Sequence, residues 1–321
     1  MNTPRMQHYI PRFYLSGFAD PDILDFEGKE VLWVYERGKQ IRRSSPTNEA
    51  RQRDYYSLVA EGSRNVEVET WLGNLENEVA PIIANLVKDP RHVTELEKQL
   101  LALFIGTMQG RTPAGRWFAE NKVGPLTNQI IKEAAAHPDK FRSFIKENYH
   151  LPEGEDVDLE EVRRDILAGR GEHLSARQDF KLISIIEVGK MVAEVLLSMN
   201  WQTIHSEEHD PFLTSDDPVI SHVIDERANR LRFRMGVASP SVNVWFPLSR
   251  TACLRMTKDS EAGVGQWVPA GIRYLNKMII MCADRWVYAS EQSAKIKSLF
   301  DRKGGLANVR TVDFRFEDPK K

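Results

Sequence analysis

The sequence predicts an α+β fold: an antiparallel sheet built from amino- and carboxy-terminal strands, packed on a largely helical middle section. Three observations predict it. Short β-branched and aromatic runs bounded by turn residues occupy residues 28–60 and 201–290. Apolar residues at three- and four-residue spacing fill the stretch from about residue 64 to about 200. No Gly/Ser- or Pro-rich linker marks either junction, so the helical section is expected to be an insertion into a single domain over residues 1–321.

Each element has a local reason. In Gln7-His8-Tyr9-Ile10-Pro11-Arg12-Phe13-Tyr14-Leu15-Ser16-Gly17-Phe18, Pro11 suits a first helical turn, because its missing N–H would have no partner there. Ile10, Phe13, Tyr14 and Phe18 then share one face, and His8 stands just ahead of the helix's positive end. Val31-Leu32-Trp33-Val34-Tyr35 predicts a strand that turns through Arg37-Gly38-Lys39 into a hairpin, and Asp54-Tyr55-Tyr56-Ser57-Leu58 a further short strand. The stripe Val68, Leu72, Leu75, Val79, Ile82 and Leu86 predicts an amphipathic helix over 66–88. Thr94-Glu95-Leu96-Glu97 is a capping box for a second helix ending near Gly110, and Arg111-Thr112-Pro113 starts a third.

Residues 117–171 are polar and mostly helical, broken at His137-Pro138. A second capping box at Ser175-Ala176-Arg177-Gln178 opens a long helix that carries Leu182, Ile185, Val192 and Leu196 back to the core. Strands follow over 201–204, 212–214, 219–224, 231–237, 242–246 and 252–256. A helix over 270–283, a strand over 285–289 and a last helix capped by Ser290 complete the pattern.

Composition bounds the function. Hydrophobic residues at 41% and charged residues at 28% are ordinary for a globular protein, and a net charge of -2 excludes a general basic coat for nucleic acid. Polyanion binding would need local patches, and two exist. Lys39, Arg42, Arg43 and Arg51 sit in the 37–53 loop with Glu49 as its one acid, and period two places Arg230, Arg232 and Arg234 on one face of a strand. A solvated surface paired with neighbouring acids is the alternative for both. Cys253 and Cys282 lie in apolar surroundings without metal-ligand spacing, as expected in a reducing compartment. The longest apolar runs, 100–105 and 278–283, are too short to span a bilayer, and the opening residues lack the regions of a signal peptide. The expectation is a soluble cytoplasmic protein.

Familiar catalytic signatures are missing: no Gly-x-x-x-x-Gly-Lys, no dinucleotide-binding glycine fingerprint and no Gly-x-Ser-x-Gly elbow. What remains is a set of polar residues embedded in apolar motifs. In Phe212-Leu213-Thr214-Ser215-Asp216-Asp217-Pro218-Val219, Asp216 either bonds nearby backbone in a tight turn or faces away to bind a metal or take a proton. Glu69 and Glu76 lie one heptad apart beside the apolar stripe.

Together with Phe246-Pro247-Leu248-Ser249, the 7–15 and 214–219 motifs occur in an order, and with a helical middle, that resembles the bacterial domain of unknown function 4238 family. The resemblance spans nearly the whole chain. It implies no activity and carries over no catalytic residue; the family's preference for Asn at the position of Asp217 implies that Asp216 is the stronger candidate of the two acids.

Two function classes fit these residues. In the first, the protein is a metal-dependent phosphodiesterase or nuclease acting on DNA or RNA. Asp216, Glu76, Glu69 and His8 would hold Mg²⁺ or Mn²⁺, His8 would serve as acid or base, and Arg12 or Arg111 would stabilise developing charge. In the second it is a non-enzymatic binding protein, whose His, Asp, Glu and Arg residues form a structural network. There His8 bonds a carbonyl, and Glu69 and Glu76 pair with Arg111, Arg116 or Arg12. A hydrolase of a small anionic metabolite beside Asp216 is a further alternative that needs no basic surface.

Overall fold

The structure is a computed structural model that describes residues 5–56, 58–60, 63–65, 67–89, 93–148, 158–169, 178–206, 210–225, 230–233, 236–258, 263–266, 269–304 and 314–315. The chain forms two compact units. The first joins residues 1–114 to 186–321, and the second comprises 115–185.

The first unit is an α+β assembly. Its larger sheet has seven strands in the order Gly263–Gln266, Asn200–His205, Ala252–Thr257, Val242–Pro247, Ile220–Asp225, Arg230–Phe233 and Phe314–Arg315. All neighbours are antiparallel except the first pair, which is parallel. The five-stranded sheet mixes both ends of the chain: Asp20–Leu24, Glu30–Glu36, Trp286–Ala289 and Thr214–Ser215 in order, with Arg42–Ser44 also pairing Glu30–Glu36. Amino- and carboxy-terminal strands therefore pair directly, through Tyr288 opposite Val34 on one side and Thr214 on the other.

The Glu67–Lys88 helix buries Leu72, Leu75, Val79, Ile82 and Leu86, the stripe its sequence spacing predicts. The Thr94 capping box is present: the Thr94 side chain accepts the Glu97 amide, and the Glu97 carboxylate accepts the Thr94 amide. The helix it opens, Glu95–Arg111, crosses the Gln178–Leu197 helix through a pair of glycines. A Cβ placed on Gly106 would stand 2.2 Å from the Gly189 carbonyl oxygen. Residues 170–177, with the expected Ser175 cap, lie outside the described residues.

Three local expectations are corrected. The helix expected across the 7–18 motif is only Arg12–Ser16; His8, which stands ahead of it as expected, ends the strand Met6–His8, paired with Arg51–Arg53. Asp54 does not start a strand, because its φ of 53° leaves the β region; the chain turns there and re-enters a strand at Leu58–Ala60. Ser290 does not cap the last helix. The Tyr35 hydroxyl donates to the Glu291 carbonyl and accepts the Ser293 amide, both at 2.7 Å, holding 291–293 off the helical path, so Ser293 caps Ala294–Lys303.

The second unit, helical throughout its described residues, packs Ile131, Ala135 and Phe141 together with Phe144, Ile145 and Ile166. Arg163 ties its helices by donating to the Ala135 carbonyl and to Glu160, both at 2.9 Å. No described helix in either unit is long and apolar enough to cross a membrane.

A buried histidine gives the first unit a pH signature. His222 is 3% exposed, stacked on Trp245, and burial together with the Arg255 cation pushes it down to about 4. Its native form is neutral. The stability this contributes is complete above the ordinary value near 6.5 and is lost as pH falls from there through 4. The expected loss reaches about 3 kcal/mol, and a His222→Leu variant should not show it. Urea titrations of both proteins at several pH values between about 4 and 7.5 check this. Parallel curves for variant and wild type would contradict it.

Candidate functional site

The three sequence motifs meet at one place. Tyr14, from the first motif, stacks on Phe246 of the third with ring centroids 5.2 Å apart, and its hydroxyl shares a 2.8 Å hydrogen bond with the Thr214 hydroxyl of the second. Close by, the Arg250 amide, just past the third motif, donates to the Gly17 carbonyl at 2.8 Å. Phe104 adds a T-shaped contact to Phe246 and a tilted one to Phe13. The aromatics chosen by helical spacing thus form the hub between both sheets and the Glu95–Arg111 helix.

Asp216 sits at the base of this junction with no solvent exposure. Its neighbour Ser215 closes the local turn by bonding the Asp217 carbonyl and amide. That frees the Asp216 carboxylate to reach across the fold. Oδ1 accepts the Asp284 amide at 2.8 Å, while Oδ2 accepts the amides of Arg285 at 2.7 Å and Trp286 at 3.1 Å. In return the Asp216 amide donates to the Trp286 carbonyl at 3.1 Å. One side chain thereby seats the turn between the Pro269–Cys282 helix and the Trp286–Ala289 strand. Burial and the Asp284 carboxylate push Asp216 up to about 7, against the three amides, which favour its charged form.

The other predicted catalytic and metal-binding residues form a second cluster, where the paired Met6–His8 and Arg51–Arg53 strands meet the Glu67–Lys88 and Glu95–Arg111 helices. Gln7 is buried; its amide nitrogen donates to Glu69 at 2.5 Å, and its oxygen accepts the Tyr56 amide at 2.6 Å. Arg111 is fully buried and pairs with Glu76 at 2.7 Å, while its carbonyl accepts the Tyr55 hydroxyl at 2.8 Å. His8 bonds the Thr47 carbonyl through Nε2 at 3.1 Å. Burial lowers its pKa, with Arg51 and Arg12 acting in the same direction and the Thr47 bond and Glu76 opposing. The charges of Arg51, Glu76 and Arg12 therefore all reach His8.

The structure does not gather the four candidate metal ligands. Asp216 has both oxygens filled by main-chain amides, Glu69 holds Gln7, and Glu76 holds Arg111. Among the described residues no group of three or more His, Cys, Asp or Glu side chains is placed to share an ion. A divalent metal does not fit these donors as they stand. Of the predicted phosphate contacts, Arg42 is gripped by Glu49 through two bonds at 2.6 and 2.8 Å, and Arg43 lies 4.8 Å from the Trp33 ring. Arg230 and Arg232 lie on a strand whose side chains are outside the described set, as is the whole of Arg234.

Sequence reasoning missed the polar row on the seven-stranded sheet. Arg255 stands opposite Trp245 and Gln202, and Asn243 lies two residues along the strand from Trp245. The guanidinium lies 5.6 Å from the Trp245 ring and donates twice to the Asn243 amide oxygen, at 3.2 and 3.0 Å, and once to that of Gln202, at 3.5 Å. Period two within 243–245 and 253–257 was the available signal, since it puts these polar side chains on one face. Tyr288 was missed as well; its hydroxyl is fully buried and has no hydrogen-bond partner among the described residues.

These features define an α+β protein with an inserted helical unit, whose motif residues bind the two ends of the chain together. It belongs to the family described as Protein of unknown function (DUF4238), whose model matches residues 6–293. Comparison with curated proteins and with solved structures returned no match.

Proposed function

We propose that this chain is a non-enzymatic binding protein that engages nucleic acid through the arginine-bearing face of its paired Met6–His8 and Arg51–Arg53 strands. The observation that carries the reading is the division of labour among the motif's charges. The acids Asp216, Glu69 and Glu76 are turned inward onto framework partners. Arg12, in contrast, is exposed and pairs with no acid among the described residues, and it lies near Arg51 beside His8. Register places Arg51 with His8 and Arg53 with Met6, so both arginines share one face of this strand pair. Arg5 and Arg53 share the single acid Asp54, which leaves the edge cationic.

Exposed and half-exposed arginines on a braced strand pair suit phosphate contacts, which give affinity without sequence preference and strong salt dependence. Two buried, free thiols suit the reducing, cytoplasmic setting in which nucleic acid is met. The test is fluorescence anisotropy with single- and double-stranded DNA and RNA between about 50 and 200 mM salt. Binding is expected to weaken with salt, and Arg12→Ala and Arg51→Ala should each reduce the log–log salt slope by about 1 while the protein stays folded. Unchanged slopes would defeat the reading. Metal-dependent, chelator-sensitive cutting by the wild type would replace it with the nuclease.

A further inference from the structure

We propose that the face of the seven-stranded sheet around Arg255 is a second, separate anion site that takes the phosphate group of a small molecule. Arg255 is partly buried, yet its hydrogen-bond acceptors are two neutral amides, and no described carboxylate stands within ion-pair distance. A partly buried cation with no counter-charge among its described neighbours is costly, and the Trp245 ring face offsets only part of that cost. The neighbouring His222, held neutral by burial and by Arg255 itself, adds no negative charge.

The donor inventory shows what would complete the site. A guanidinium has five N–H bonds in a planar fork. Nε and one bond of Nη2 are spent on Asn243, and one bond of Nη1 on Gln202. The end-on pair remains, one N–H on each Nη, in the geometry that receives two oxygens of one oxyanion. Asn243 and Gln202 use their oxygens on the guanidinium, so each keeps its NH₂ as a spare donor. They stand on the strands either side of Arg255. Donors from three strands therefore surround the position, and both amide oxygens are engaged by the guanidinium. A phosphate, with three terminal oxygens, matches that arrangement better than a planar carboxylate.

The test uses inorganic phosphate as the probe, exchanged for chloride at constant ionic strength, with melting temperature and isothermal titration as readouts. Wild type is expected to show a saturable rise in melting temperature and a measurable heat of binding. Asn243→Asp keeps both N–H bonds from Arg255 but supplies the missing negative charge, so it should fold normally and bind phosphate roughly tenfold or more weakly. Arg255→Gln should lose the response. Arg12→Ala should retain it, which separates this site from the Arg12 and Arg51 surface whatever the outcome there. A wild type without saturable phosphate binding, or an Asn243→Asp protein that binds as well as wild type, would overturn the proposal.

Discussion

Alanine at Gly106 is expected to cost about 3 kcal/mol or more, the upper end for overpacking a close contact. The methyl would stand 2.2 Å from the Gly189 carbonyl oxygen and 3.0 Å from its carbon, both main-chain atoms with no rotamer to yield. Relief requires the Glu95–Arg111 and Gln178–Leu197 helices to part, and their separation would loosen the buried Phe104, Ile105 and Met108. Gly189→Ala is expected to cost less, because its closest contact, at 2.7 Å, is the Thr107 methyl group. Urea denaturation of the two variants measures the order. Equal stabilities, or a Gly106→Ala protein as stable as wild type, would show that the crossing is looser than described.

The second large effect belongs to Asp216. Its replacement by alanine strands three main-chain amides in the interior, each worth about 1–3 kcal/mol when left bare. With partial relaxation, the expected loss is on the order of 4 kcal/mol, a fall in melting temperature of roughly 10 °C for a unit of this size. Asp216→Asn would not restore stability fully, because the new NH₂ must face at least one of the same N–H donors. A catalytic aspartate behaves differently. Removing it typically leaves the fold intact or stabilises it while abolishing activity. Thermal melts of wild type, Asp216→Ala and Asp216→Asn, run beside a nuclease assay with Mg²⁺ or Mn²⁺, separate these cases. An alanine variant melting within about 2 °C of wild type would remove the structural role.

Much of the fold was legible because its determinants are local. The Thr94–Glu97 box and the 68–86 stripe are decided within a turn or two of helix. The pairing of both chain ends in one sheet followed from where the β-like runs lie. The misread positions are those where a distant group decides. Ser290 and Ser293 are equally good caps in isolation, and Tyr35, more than 250 residues away, selects between them. Asp216 stood out within its motif, but its partners at 284–286 could not be read from its own turn. Arg255 escaped notice because its meaning depends on strand register, which places amides and a tryptophan beside it rather than an acid.

The five-stranded sheet imposes an order of events on biosynthesis. Glu30–Glu36 leaves the ribosome some 250 residues before its neighbour Trp286–Ala289. At roughly 5–20 residues per second, that strand edge waits on the order of ten seconds or more for its partner. In the interval it presents Val31, Leu32, Trp33, Val34 and Tyr35, all buried in the finished protein, to whatever the nascent chain meets. The Arg42–Ser44 strand closes only the opposite edge of this segment, so chaperone cover of the edge awaiting Trp286–Ala289 is expected to limit aggregation of the newly made chain.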